Sequence, residues 1–183
     1  MLNKIEKFID FLNHNGIEFT KLTPPEIEAY KQEWFNNFVP MEKQEKAINS
    51  FCFDKDGFCG YLWHVFSYEI LSCLKKSKAK NTFNELDKQG AVLLVNIDEV
   101  AYRVKDVCKI KAQDLDFLDD IILTAQDFSW TYAKTHEATC GPYFYLNYLS
   151  KKMGYCKITI KSNFAQPIFS TELIQLNSYL ASS

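Results

Sequence analysis

The chain has 183 residues, of which 47% are hydrophobic and 15% aromatic, and this much apolar surface excludes an intrinsically disordered protein. Its 21 basic and 23 acidic residues give a net charge of −2, and only one basic residue, Arg103, is an arginine. Because nucleic-acid recognition depends on a basic surface and on arginine contacts to bases and phosphates, this composition argues against nucleic-acid binding.

The length predicts one globular domain over residues 1–183, since no repeat or linker divides the chain. The longest charge-free run, residues 138–150, is too short for a membrane span, and the charged start MLNKIEKFID does not resemble a signal peptide. We therefore expect a cytoplasmic protein without membrane contact. In that compartment its six cysteines are expected to be reduced thiols.

Three helices are predicted in the first fifty residues. Residues 3–15 carry apolar side chains at helical spacing and are followed by Gly16, a typical C-terminal helix stop. Thr23 precedes a Pro-Pro-Glu sequence, which predicts an N-cap and a helix that ends near Phe38. A third, shorter helix is predicted over residues 41–50.

Residues 51–69 carry two predicted strand regions. Apolar runs flank Asp54-Lys55-Asp56-Gly57, which favours a hairpin. A calcium loop is excluded, because the twelfth position of such a loop needs a glutamate and is Val65 here. Residues 60–69, GYLWHVFSYE, are apolar on both faces and predict a strand covered on both sides, in which His64 is a buried histidine with a hydrogen-bond partner.

The remaining elements are mostly strands. A short helix is predicted over residues 75–89, and residues 112–120 are interpreted as a short helix or loop. Strands are predicted over residues 91–97, 101–107 (edge or half-buried), 121–124 and 156–161, and a last helix begins at residue 171. The fold class is therefore α+β, with N-terminal helices, a mostly antiparallel or mixed β-sheet and a C-terminal helix.

Residues 127–144, DFSWTYAKTHEATCGPYF, are the most aromatic stretch of the chain. Aromatic and small side chains alternate over residues 128–136, which predicts a half-buried strand. At its end His136, Glu137 and Cys140 form a candidate polar site. The competing interpretation places the rings in the core, the His–Glu pair in solvent and Cys140 among small buried hydrophobic residues.

A concentration of aspartates lies between residues 114 and 120. Asp116, Asp119 and Asp120 belong to it, and its simplest interpretation is a solvated face. The alternative is an acidic patch that binds a partner with a basic surface.

The blocks GYLWHVFSYE at 60–69 and DFSWTYAKTHE with CGPYF at 127–144, together with the strand–turn–strand region at 91–107, resemble a family of small bacterial proteins catalogued as a domain of unknown function. The resemblance covers roughly residues 34–144. Since that family has no assigned activity, it implies no catalytic or binding residues.

The preferred hypothesis is a non-catalytic module that binds or neutralises a protein partner, because aromatic residues are typical interface anchors and no complete catalytic set is present. No catalytic residue, metal site or cofactor is assigned. The candidate binding residues are His64, Trp130, His136, Glu137, Cys140, Tyr143, Asp116, Asp119 and Asp120.

Two chemical functions are alternatives to the binding module. The first is a small hydrolase or metal-dependent enzyme built from His64, His136, Glu137 and Cys140, which would require these side chains to converge. The second is a redox thiol at Cys140, where Cys-Gly-Pro would precede a helix; here Tyr143 occupies the position of the second cysteine of a C-x-x-C motif.

Overall fold

The computed structural model describes residues 4–49, 53–54, 57–58, 61–95, 100–137 and 139–147. The helices are α1 (Lys4–His14), α2 (Pro24–Phe38), α3 (Met41–Ala47), α4 (His64–Ser67) and α5 (Lys76–Glu85). The strands are β1 (Phe19–Lys21), β2 (Phe53–Asp54), β3 (Gly57–Phe58), β4 (Leu74–Lys75), β5 (Ala91–Val95), β6 (Val100–Val104), β7 (Ile121–Ala125), β8 (Trp130–Lys134) and β9 (Tyr143–Leu146). None of the helices in these ranges is long and apolar enough to cross a bilayer.

The predicted α+β class is confirmed, and the sheet is antiparallel rather than mixed. Seven strands pair in the order β1-β6-β5-β7-β8-β9-β4, and every neighbouring pair is antiparallel. The predicted hairpin also forms, as β2 paired with β3. The predicted strand at 156–161 and the last helix from residue 171 lie outside the described residues.

Helices cover both faces of the sheet, so the domain has three layers. Successive residues of a strand point to opposite faces, and in β5 Leu93 packs with α1 and α5 while Leu94 packs with α2 and α4. Each face therefore has its own apolar core. A strand between two such cores is buried throughout, which is the case for all five residues of β5 and of β7.

The two N-terminal helices form where the sequence predicts them. Gly16, two residues after the end of α1, has φ +58°, a left-handed conformation that glycine adopts without steric cost. At the start of α2 the Glu26 carboxylate accepts hydrogen bonds from the Thr23 backbone N–H at 2.8 Å and the Thr23 hydroxyl at 2.7 Å.

The prediction of a strand over residues 60–69 is wrong. This segment contains a turn and then α4, and its many apolar side chains are explained by a short helix packed in the core that α2 and the sheet form. A short, wholly apolar run does not distinguish a buried strand from a buried helix, because burial removes the periodicity that would separate them.

Four smaller predictions also need correction. The strand at 128–136 is shorter, β8, and it is buried on both faces rather than half-buried. β6 is an interior strand, because the unpredicted β1 pairs with its outer side. The helix predicted over residues 75–89 is shorter, because α5 ends at Glu85, five residues before Gly90. The chain after Pro142 forms β9 instead of a helix.

One polar network lies inside the core between α2 and the sheet. The Trp34 side chain is fully buried, and its indole N–H lies 3.1 Å from the Thr124 hydroxyl and 3.3 Å from the Thr131 hydroxyl. The two hydroxyls, which belong to paired positions of β7 and β8, are 2.8 Å apart. They therefore supply the buried indole with its acceptors.

Removal of both acceptors should destabilise the protein more than the single changes predict. In Thr124→Val or Thr131→Val the indole keeps one acceptor, whereas the double variant leaves a buried N–H unpaired at a cost of about 1–3 kcal/mol. Urea unfolding of the four proteins would measure the free energy of unfolding. A double variant whose loss equals the sum of the two single losses would contradict this role of the pair.

Candidate functional site

A buried carboxylate, that of Asp120, organises the candidate site. The Asp120 side chain is 0% exposed, and the residue lies directly before β7 with φ +46°. A left-handed backbone is uncommon for any residue except glycine, although aspartate tolerates it better than most. The sequence-based interpretation of Asp120 as part of a solvated acidic face is therefore wrong.

Three donor groups lie within hydrogen-bond distance of the Asp120 carboxylate. Its Oδ1 lies 3.0 Å from Trp63 Nε1 and 3.1 Å from the backbone nitrogen of His136. The Nδ1 of the His136 ring lies 2.8 Å from each of the two carboxylate oxygens. A buried charge is tolerated only when it is paired and hydrogen-bonded, and this carboxylate meets both conditions.

Strand pairing brings His136 to Asp120. In the β7–β8 ladder Ile121 pairs with Lys134, so the residues that precede β7 and follow β8 lie side by side at the same end of the sheet. His136 is two residues beyond β8, and its side chain is 46% exposed. The imidazole is thus fixed on its Nδ1 side by a buried carboxylate while part of the ring remains at the surface.

His64 reaches the same surface from α4. Its ring centroid lies 4.2 Å from that of Trp63 and 5.5 Å from that of Tyr68, and the side chain is half-buried. Tyr61 lies 5.7 Å from His64 and 5.8 Å from His136 by ring centroids. Both histidines therefore contact the same aromatic rings, a proximity that the sequence alone does not predict.

We call this group the histidine–aromatic surface; its members are Tyr61, Trp63, His64, Tyr68 and His136. Trp63 is buried and forms the base, whereas Tyr68 is 61% exposed and forms the outer edge. Each ring is in contact with at least one other member of the group. The surface is consequently a packed set of rings rather than a set of independently mobile side chains.

The pKa values of the two histidines are shifted in opposite directions. The hydrogen bond to Asp120 favours the charged imidazolium and raises the pKa of His136. Burial disfavours the charged form and lowers the pKa of His64. His136 therefore keeps its proton to a higher pH than an ordinary histidine, whereas His64 loses its proton at a lower pH.

Glu137 and Cys140, which the sequence also predicts for the site, differ in their position relative to this surface. Glu137 is exposed next to His136 and acts electrostatically on His64, where it opposes the effect of burial on the pKa. Cys140 is partly buried against the core that contains Tyr143. Cys140 lies against that core, and its backbone carbonyl accepts a hydrogen bond from Thr135, so it is not one of the rings and side chains that form the histidine–aromatic surface.

Cys140 also does not lie at a helix N-terminus. Pro142 is followed by β9, so the structural basis for a thioredoxin-like thiol is missing. Trp130 and Tyr143 are each 3% exposed and belong to the two cores, which removes both from the surface candidates. Among the described residues no three histidine, cysteine, aspartate or glutamate side chains are grouped so that they could hold a metal ion.

The remaining acidic candidates are paired with lysines. Asp116 accepts two hydrogen bonds from Lys80 Nζ, at 2.8 and 2.9 Å. Asp119 is hydrogen-bonded to Lys4 and lies 3.8 Å from Lys134 Nζ, and the bond to Lys4 lowers the pKa of Asp119. The predicted acidic patch is thus largely compensated by the protein's own lysines.

Sequence reasoning missed Tyr61, Trp63 and Tyr68 as members of a surface. It assigned their segment to a strand, and no local pattern connects Trp63 to a carboxylate 57 positions later. One signal was present in the sequence, because Asp120 directly precedes the wholly apolar Ile121-Ile122-Leu123. Because Asp120 adjoins a strand that is buried throughout, its backbone has to lie at the rim of the core.

The sequence matches the model of a known protein family. The family described as a domain of unknown function (DUF4275) matches residues 6–144, which is more than half of the chain. The match begins earlier than the resemblance seen in the sequence and ends at the same residue. No curated protein and no solved structure matches the chain significantly.

Asp120→Asn should lower the pKa of His136 towards the ordinary value of 6.5. The asparagine keeps an oxygen that can accept from Trp63 and from the His136 backbone, but it removes the charge that favours the imidazolium. NMR titration of the imidazole Cε1–H signals would measure the change, with the His14 signal as an internal reference.

Glu137→Gln is the matched control for this titration, because it removes an exposed carboxylate that contributes less to the raised pKa of His136. Its effect on His136 should be smaller than that of Asp120→Asn. Equal effects of the two variants would show that the general negative field, and not the buried hydrogen bond, controls His136.

Proposed function

We propose that this chain, which belongs to the DUF4275 family of unknown function, is a non-catalytic module that binds a protein partner through the histidine–aromatic surface. The observation that carries the proposal is the packing of Tyr61, His64, Tyr68 and His136 over the buried Trp63–Asp120 pair. Neutralisation of a harmful partner is one physiological form of such binding.

Rigidity supports a role in binding. Ordering a mobile side chain in an interface costs roughly 0.5–1.5 kcal/mol. Here mutual ring contacts and the Asp120 hydrogen bonds already hold the side chains, so this cost is reduced before a partner arrives. Tyrosine is also over-represented among the residues that dominate interface energies, and Tyr68 is a strongly exposed one at this surface.

A partner with a basic surface fits the charges around these rings. Glu137 is exposed beside His136. Glu69, which adjoins Tyr68, is also exposed, but its carboxylate lies 3.3 Å from Lys75 Nζ and is therefore paired with a lysine. The proposal therefore moves the acidic contact from the lysine-paired Asp116 and Asp119 to Glu137 at the rim of the histidine–aromatic surface. Charged His136 would repel a basic partner, so binding should strengthen as the pH rises through the raised pKa of His136.

Photo-crosslinking through a benzophenone side chain at position 68 would capture the partner in cells, and calorimetry with the purified partner would then measure affinity. Tyr68→Ser should weaken binding at least tenfold, about 1.4 kcal/mol, because it removes an exposed aromatic anchor. Met41→Ser is the matched control, since Met41 is a strongly exposed apolar side chain (85%) outside this surface, and it should change the affinity less than twofold.

Charge reversal separates the two possible acidic contacts. Glu137→Lys should abolish binding, whereas the double variant Asp116→Lys, Asp119→Lys should retain it; Asp120 is left unchanged because it is buried. If the Asp116/Asp119 variant loses the partner and Tyr68→Ser keeps it, the contact lies on the aspartate stretch and the histidine–aromatic surface is not the binding site.

One observation favours a hydrolase as the second candidate. A histidine whose Nδ1 is held by a buried carboxylate resembles a general base and its orienting group. Within the described residues no serine, threonine or cysteine side chain is hydrogen-bonded to His136, so the nucleophile of such an enzyme would be water. Cys140 would have no part in this reaction.

Hydrolysis of chromogenic carboxylic and phosphoric esters by the purified protein tests this candidate. If His136 is a general base, His136→Gln should lower the rate by about 10²–10⁴-fold. His14→Gln is the matched control, because it removes a histidine at the end of α1, a helix that packs on the opposite face of the sheet from α4. Equal rates for both variants would exclude His136 as the base.

A further inference from the structure

A second candidate site lies at the other end of the sheet, beside β1. A cleft of about 500 Å³ opens where the end of α1 meets β1 and β6. Its polar lining includes Asn13, Glu18, Thr20, Arg103, Lys105 and Gln126. The volume is in the range of small-molecule sites, and none of the lining residues belongs to the histidine–aromatic surface.

Strand register places an arginine and a hydroxyl together in this cleft. Thr20 of β1 and Arg103 of β6 are paired positions of an antiparallel ladder, so their side chains stand on the same face. Both residues are exposed. Within the described residues no carboxylate lies at ion-pair distance from the Arg103 guanidinium, although Arg103 acts electrostatically on Glu26.

The neighbouring charges are already paired. Lys105 Nζ lies 2.6 Å from the Glu18 carboxylate, and Glu26 is hydrogen-bonded by Thr23. The carbonyls of Asn15 and Gly16, which follow the negative end of the α1 dipole, face Lys109 Nζ at 3.5 and 3.3 Å. Among the described residues that line the cleft, Arg103 is therefore the cation without a carboxylate at ion-pair distance, and its guanidinium offers five N–H donors.

We propose that this cleft binds a small molecule through an anionic oxygen group, a carboxylate or a phosphate, which is held by Arg103. A guanidinium fork forms two parallel hydrogen bonds with such a group. The Thr20 hydroxyl and the amides of Asn13 and Gln126 contact the rest of the ligand, and their mixed donors and acceptors suit a polar organic molecule.

NMR provides a direct test, because Arg103 is the only arginine in the chain and its side-chain Nε–H signal is therefore unique. The full chain is titrated separately with inorganic phosphate and with malonate, at constant ionic strength set with chloride. We expect a saturable shift of the Arg103 Nε–H signal and of the Thr20 and Lys105 amides. The anion with the lower dissociation constant identifies the preferred group.

Arg103→Gln should weaken this binding about tenfold or more, as expected when a charge-assisted hydrogen bond is lost. Lys21→Gln is the matched control: it removes one positive charge from β1, the strand next to that of Arg103, but Lys21 pairs with Tyr102 and faces the opposite side of the sheet. Its affinity should stay within twofold of the unchanged protein. Shifts that do not saturate with either anion, or equal weakening in both variants, would overturn the proposal.

Discussion

The buried carboxylate of Asp120 is the constraint from which the geometry of the histidine–aromatic surface follows. It connects three parts of the chain that are distant in sequence: the turn before α4, the start of β7 and the segment after β8. A charge in this position must have partners, because an unpaired buried carboxylate costs several kcal/mol. The Trp63 indole N–H is also buried and needs an acceptor, which the Asp120 carboxylate supplies. Each group therefore fixes the other, and the exposed His136 ring takes its orientation from a pair that solvent does not reach.

On one face of the sheet, two buried indole N–H groups donate hydrogen bonds to side chains on or directly beside β7 and β8. Trp34 of α2 bonds to the hydroxyls of Thr124 and Thr131, and Trp63 bonds to Asp120. Apolar packing is tolerant of small shifts, whereas a hydrogen bond from a buried indole requires a donor–acceptor distance near 3 Å. These two bonds consequently define how the α2 and α4 region sits on the strands, and they keep the functional surface in register with the central sheet.

Much of the fold is predictable because local rules determine it. Gly16 and Thr23 mark helix boundaries through backbone conformation and capping, and residues 91–95 are too apolar to lie anywhere except inside. The segment at 60–69 was misassigned because an apolar run covered on all sides loses its period. The site was largely beyond sequence reasoning for a different reason: His136 and its neighbour Glu137 were found, but the Trp63–Asp120 bond joins residues whose proximity is created only by the tertiary fold. From the sequence Asp120 is interpreted as a surface residue, because charged residues are usually exposed and the local sequence does not show the three donor groups that Trp63 and His136 supply.

The lengths of the outermost strands have a consequence for how the protein behaves in a crowded cell. The described seven-stranded sheet ends with β1, three residues long, on one side and β4, two residues long, on the other, while its interior strands have four or five. A foreign strand that adds to a sheet gains main-chain hydrogen bonds in proportion to the length of the edge it meets. With so few free donors and acceptors on either border, this sheet offers little to a growing aggregate, even though its central strands are among the most hydrophobic parts of the chain.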